Sequence, residues 1–149
     1  MRKVIYTLEF KGSAAPKPGA AGVLKAATTA AGCTLTTSFG PEGVTGSLRP
    51  VTGDVASFES EVTLTGDDSF LESGTIRFGS GNHQISFSTV GHGSLVASPI
   101  PNLQQGAVIW RVEGGKGQFE GARGLITSNF TISADGEVVD HHFGAIFVI

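Results

Sequence analysis

The sequence predicts an all-β fold: one domain, residues 1–149, built as a single closed antiparallel β-barrel of eight strands. Three observations predict it. Apolar and polar residues alternate with period two along the chain, while helical periodicity hardly appears. Clusters of Gly, Pro, Asn and Asp interrupt the alternating runs at short intervals, as in a sandwich or a barrel. The first and last runs are both long and apolar. As free edges they would invite aggregation, and pairing them with each other removes both edges.

The runs follow in order. Val4, Tyr6, Leu8 and Phe10 alternate with Ile5, Thr7 and Glu9 and form a first strand with two fairly apolar faces. Ser13–Gly22 is rich in Ala, Pro and Gly and reads as a loop. Val23–Ala31 has no clear period and fits either a short helix or an irregular strand. Leu35–Phe39 and Val44–Leu48 flank Gly40-Pro41-Glu42-Gly43 and read as a hairpin. Phe58, Ser60, Val62 and Leu64 define a dry face, with Glu59, Glu61, Thr63 and Thr65 on the wet one.

Phe70–Phe78 is the next strand, bounded by turns at Gly66–Ser69 and Gly79–Asn82. Ile85, Phe87 and Thr89 share a face of the strand after it, and Gly91-His92-Gly93 marks a bulge or bend. Ser98–Asn102 is a loop, and Ala107–Val112 is a strand carrying the only tryptophan, Trp110. Ile126, Ser128, Phe130 and Ile132 share one face of Leu125–Ser133. Asp135-Gly136 is a hairpin turn leading into the last strand, which ends at Ile149. That strand has Val138, Ile146 and Val148 on one face and Phe143, Phe147 and Ile149 on the other. A monomeric barrel needs only one dry face, so a homo-oligomer is expected.

Composition narrows the function classes. Apolar residues make up 40% and charged residues 15%, which supports a packed core and argues against disorder. The net charge is −3 and no basic run exists, so binding to nucleic acid has no footing. No stretch approaches the ~20 apolar residues of a membrane helix. The basic, then apolar start is interrupted by Glu9, unlike a secretory signal. With the lone Cys33, these features lead to the expectation of a cytoplasmic protein with no disulfide and no membrane attachment. A single thiol of this kind more often packs than reacts.

The 22 glycines are densest at Gly114-Gly115-Lys116-Gly117-Gln118-Phe119-Glu120-Gly121-Ala122-Arg123-Gly124. The spacing is not a dinucleotide fingerprint, and no Gly-Lys-Ser/Thr follows. The bottom-up reading is structural: the glycines bend the chain, Phe119 plugs the barrel end and Ala122 sits in a crowded corner. This stretch, with the Leu125–Ser133 strand, Asp135-Gly136 and the apolar last strand, resembles the C-terminal half of the allene oxide cyclase and dirigent barrel superfamily. The resemblance covers roughly the last forty residues. It implies an eight-stranded barrel with an interior pocket, commonly oligomeric. Its characterised members confine a reactive intermediate so that it cyclises or couples in one stereochemical sense. The cyclase's functional residues lie outside the matching stretch.

Candidate chemistry rests on polar residues placed on apolar faces. Glu72 shares a face with Phe70, Gly74, Ile76 and Phe78. Buried there, its carboxyl has a raised pKa suited to acid/base work; a bulge near Gly74 or a rim position would instead turn it to solvent. Asp140 and His142 lie two apart on one strand face and can form an acid/base pair, or simply a polar barrel end or subunit contact. Adjacent His141 and His142 point to opposite faces, so no metal is expected even with His83 and His92 added. Tyr6, Phe87, Trp110 and Arg111 are candidates for the wall of a ligand pocket; Arg111 outside, paired with Glu113 or with a neighbouring strand, is the plainer reading. No Gly-x-Ser-x-Gly elbow is present and no cofactor is expected. The expected partner is a small apolar organic molecule. The competing expectation is a non-catalytic oligomeric barrel that binds a hydrophobic ligand or a protein.

Overall fold

The computed structural model describes all 149 residues and contains nine strands. They are β1 (Arg2–Pro16), β2 (Val23–Gly40), β3 (Gly43–Leu64), β4 (Ser69–Phe78), β5 (Gln84–Thr89), β6 (Gly93–Ala97), β7 (Leu103–Lys116), β8 (Arg123–Ser133) and β9 (Glu137–Val148). Every pairing is antiparallel. The order β3-β2-β1-β9-β8-β7-β5-β4 closes through β3–β4, so eight strands form a ring. β5 and β6 both sit between β4 and β7 and act as one interrupted strand. The break falls at the expected bend near Gly91. The predicted joint between first and last strands is present, with β1 pairing β9 from Arg2↔Val148 to Ser13↔Glu137.

Two expectations are corrected. Val23–Ala31 is regular strand, continuous with the predicted hairpin, so β2 runs 18 residues and β3 runs 22. Its Ala and Thr residues alternate Thr28 and Ala30 inward against exposed Ala27, Thr29 and Ala31, a pattern too weakly apolar to read without the partner strand. The predicted loop from Ser13 is also shorter, because β1 extends to Pro16.

The ring has two ends. The turns after β1, β3, β6 and β8 gather at one, tied by Ala14 N–H to the Gly136 carbonyl, Leu64 N–H to Gly22 and Ala134 N–H to Asn102. The other end is closed by the glycine stretch. Its chain turns through a short 3₁₀ segment, Gly117–Phe119, where Gly117 has φ 64°, a conformation that favours glycine. Phe119 is buried there against Phe78, and Ala122 is fully buried, as expected. Gly144 is required for a different reason: the Tyr6 ring lies across it, where any Cβ would collide.

The core follows from alternation. Phe10, Phe58, Phe87 and Trp110 meet at centroid separations of 4.5–5.9 Å, with Ile76, Ile85, Val112, Ile126 and Ile146 behind them. β2 and β3 then leave the ring. Ala31 pairs Val55 but Cys33 pairs Pro50, so Gly32 alone faces Val51–Asp54. Beyond this irregularity the two strands pair only with each other, as a projecting two-stranded ribbon.

Candidate functional site

Inward-facing residues at the end where the turns gather surround an apolar cavity of about 70 Å³. Small side chains on β1 and β2, Ala14, Ala26 and Thr28, leave the space open. Partly exposed Leu24, Leu64, Leu95, Ile132 and Val138 form its rim, and buried Phe58, Phe70, Glu72, Thr28 and Asp140 form its floor. The volume holds about two waters, or the polar head of a ligand whose body rests on the rim.

Glu72 points inward, so the bulge that would have turned it to solvent does not occur. The neighbouring strand bends away instead. Opposite Leu71 and Glu72 the chain makes the excursion from Thr89 to His92. The Thr89 hydroxyl replaces the missing ladder partner. It accepts from the Glu72 N–H at 2.7 Å and donates to the Glu72 carbonyl at 2.8 Å. The Glu72 backbone is thus fixed while its side chain reaches the cavity floor.

Two carboxyls on that floor are held by the same device. Ser60 Oγ donates to Glu72 Oε2 at 2.6 Å, and Ser128 Oγ donates to Asp140 Oδ1 at 2.6 Å. In each case the serine lies on the adjacent strand, diagonally across: Val62 is opposite Glu72, and Phe130 is opposite Asp140. Asp140 Oδ2 also meets His142 Nε2 at 2.8 Å, so the expected Asp–His pair exists. The imidazole is enclosed by Phe10, Phe58 and Trp110 at 4.4, 5.5 and 5.0 Å.

Burial pushes the Glu72 carboxyl up to about 7, with the Ser60 hydrogen bond pulling down and the Asp140 charge pushing further up. Glu72 therefore exchanges a proton near neutral pH. Burial also pushes the Tyr6 phenol up, with Asp140 adding to it, so Tyr6 stays a protonated donor. All ten lysines and arginines lie outside the barrel interior. The interior thus holds two carboxyls and an imidazole with no fixed cation.

Four buried polar atoms lack a partner: Tyr6 Oη, Thr28 Oγ1, Trp110 Nε1 and His142 Nδ1. Of these, Thr28 Oγ1 belongs to the cavity lining, so a water or a polar ligand atom in the cavity can satisfy it. Trp110 Nε1 faces Glu72 without forming a hydrogen bond of proper geometry. His142 Nδ1, the ring nitrogen not engaged by Asp140, has no partner of its own.

The sequence candidates divide accordingly. Glu72 and Asp140 share the cavity floor, and His142 joins them through Asp140. Tyr6, Phe87 and Trp110 face the interior but lie behind the floor, outside the cavity lining. Arg111 is corrected: alternation buries its neighbours Trp110 and Val112, so its own side chain is outside, between Ser88 and Leu125. His83 Nδ1 accepts from Gln118 N–H near the plugged end, and His92 is exposed at the bend, so neither joins Asp140. Ser60 and Thr28 were missed. The legible signal for Ser60 was a serine interrupting the dry face Phe58, Val62, Leu64. No protein-family model matches the chain, and comparison with curated proteins and with solved structures finds no match either. No helix is long and apolar enough to cross a membrane.

Proposed function

We propose that the barrel binds a small, mainly apolar organic molecule and moves a proton on it, as a cyclase, isomerase or lyase does. The observation that carries this reading is Glu72: a serine-held carboxyl that titrates near pH 7 on the floor of an apolar cavity. In the reading, protonated Glu72 donates to an oxygen of the substrate, and Asp140, in contact with His142, accepts the proton that the resulting cation releases. The apolar walls confine the intermediate. The resemblance of Gly114–Gly124 to the allene oxide cyclase and dirigent barrels supports the same class, and the free Cys33 suits a cytoplasmic setting.

The test is direct. Native mass spectrometry of protein from its own host reads any retained ligand, and a panel of apolar epoxides and enones is then assayed for turnover. Glu72→Gln should lower turnover by at least about 10²-fold with an unchanged fold. Undiminished turnover in that variant removes Glu72 from the chemistry. A second reading, a non-catalytic ligand-binding barrel, is favoured by the hydrogen bonds that already engage both carboxyls. It is the outcome if ligands shift the resonances of Thr28, Val62 and Leu95 but no member of the panel is converted.

A further inference from the structure

The ribbon that leaves the barrel is amphipathic, and the chain itself does not cover its apolar side. Its cross-strand pairs alternate. Cys33↔Pro50, Leu35↔Leu48, Thr37↔Gly46 and Phe39↔Val44 fall on one face; Thr34↔Arg49, Thr36↔Ser47 and Ser38↔Thr45 fall on the other. Phe39 is 83% exposed, Val44 72% and Leu35 51%. A two-stranded ribbon with an open apolar face is marginal in water unless something packs on it.

A second uncovered apolar surface lies on the outside of the barrel wall. Register places Ile5, Ala145 and Leu125 in one row, and Thr7, Phe143, Thr127 and Ile109 in the next, with Phe147 beside them. Ile5, Phe143, Leu125, Ile109 and Phe147 are each at least 44% exposed. Polar residues ring this patch as they ring a protein interface. Lys3, Arg123 and Arg111 lie along one border, none of them in an ion pair within the chain, and the Glu9–His141 pair lies along the opposite one. The ribbon carries a charge opposite to that basic border, acidic Glu42 at its tip.

We propose that the Cys33–Pro50 ribbon is an exchange arm that lays its apolar face across the outer β1–β9–β8–β7 face of a second copy of this chain. Glu42, at the turn of the ribbon, then meets the basic border. A twofold arrangement satisfies both arms and both faces at once. Each chain then contributes two apolar surfaces, its arm and its wall, to the same assembly. A lipid surface would satisfy the arm but leave the wall patch uncovered, so the second copy accounts for more of what is exposed. The cavity mouth lies at the opposite end from the plug and plays no part in this contact, so dimerisation and ligand binding are read separately.

Sedimentation of the full chain tests the proposal. The wild type should be a dimer at micromolar concentration. Phe39→Asp with Val44→Asp, and separately Leu125→Asp with Phe143→Asp, should each yield folded monomers, with the near-ultraviolet signal of Trp110 reporting an intact barrel. Phe39→Ala alone should weaken dimerisation at least about 30-fold, the scale of an aromatic anchor. Glu42→Lys should weaken it a few-fold, less so in high salt. A photoreactive phenylalanine at position 39 should crosslink to β8 or β9 of an isotopically distinct partner. Several results would each overturn the proposal: a monomeric wild type, a dimer that survives the arm substitutions, or crosslinks only within one chain. Arm-dependent binding to neutral phosphatidylcholine vesicles by a chain that stays monomeric would overturn it too.

Discussion

The two halves of the barrel interior are built on the same strands by the same alternation, yet one is solid and the other hollow. Towards the plug the inward positions carry Phe10, Phe58, Phe87, Trp110, Ile126 and Ile146, all nearly inaccessible. Towards the mouth the inward positions of β1 and β2 are Ala14, Ala26 and Thr28, and a cavity remains. Side-chain volume, not strand geometry, separates them. The difference teaches where stability and chemistry are lodged. The aromatic half fixes the barrel, and the carboxyls sit at the boundary, where packing ends on one side and open space begins on the other. A carboxyl at such a boundary is desolvated by the solid half and reachable from the hollow one.

The sharpest way to break this comparison is to empty the solid half. Trp110→Ala removes a fully buried indole that packs on Phe58, Phe87 and His142, and should destabilise the protein by about 3–5 kcal/mol. Leu64→Ala, at the half-exposed rim, should cost less than about 1 kcal/mol. Urea unfolding of the two variants at one pH measures both. Equal losses would mean that the mouth half is as tightly packed as the other.

The next effect is the pH dependence of stability. The Glu72 carboxyl titrates at about 7 when folded against an ordinary value of 4.5. The protonated form is thus favoured by folding. Stability from this group is fully present below pH 4.5, is lost as the pH rises towards 7, and is constant above that. The loss amounts to at most roughly 3 kcal/mol. Glu72→Gln cannot ionise, so its stability should not fall through this window. Equal slopes for the two proteins would place Glu72 in a more solvated setting than the floor of the cavity.

How much of this was legible in the sequence differs from element to element. β1 and β9 alternate strongly over long apolar runs, so both their faces and their mutual pairing could be read. Glu72, Asp140 and His142 were legible because a charge on an apolar alternating face is conspicuous. Their inward direction was not fixed, since one bulge inverts a face. Here the irregularity falls instead on the strand opposite, at Thr89–His92. Thr28 lay hidden in Val23–Ala31, where Ala and Thr give no contrast between faces. Arg111 could be read both ways because alternation says which residues share a face but not which face is inside; the plainer, outward reading is the one found, though Glu113 accepts from Ser88 and forms no ion pair with Arg111. The hairpin at Gly40-Pro41-Glu42-Gly43 was read correctly, yet nothing local announced that its strands leave the ring, because that follows from where pairing with β1 stops.

The smallest effect on stability is the most telling for the hollow half. Ala26 lines the cavity from β2, partly buried, with open space before it. In Ala26→Leu the added methylenes enter that space instead of a packed core, so overpacking strain should be slight and the gain in buried apolar area should nearly offset it. The expected change in unfolding free energy is within about 1 kcal/mol. The cavity is only about 70 Å³, so the same substitution should exclude a ligand head from Glu72 and abolish binding measured by calorimetry. Glu72 should also titrate higher in this variant, because the new side chain removes what solvent still reaches it through the mouth. Intact binding with unchanged stability would show that the ligand sits on the rim alone, and that the two carboxyls serve the barrel and not its occupant.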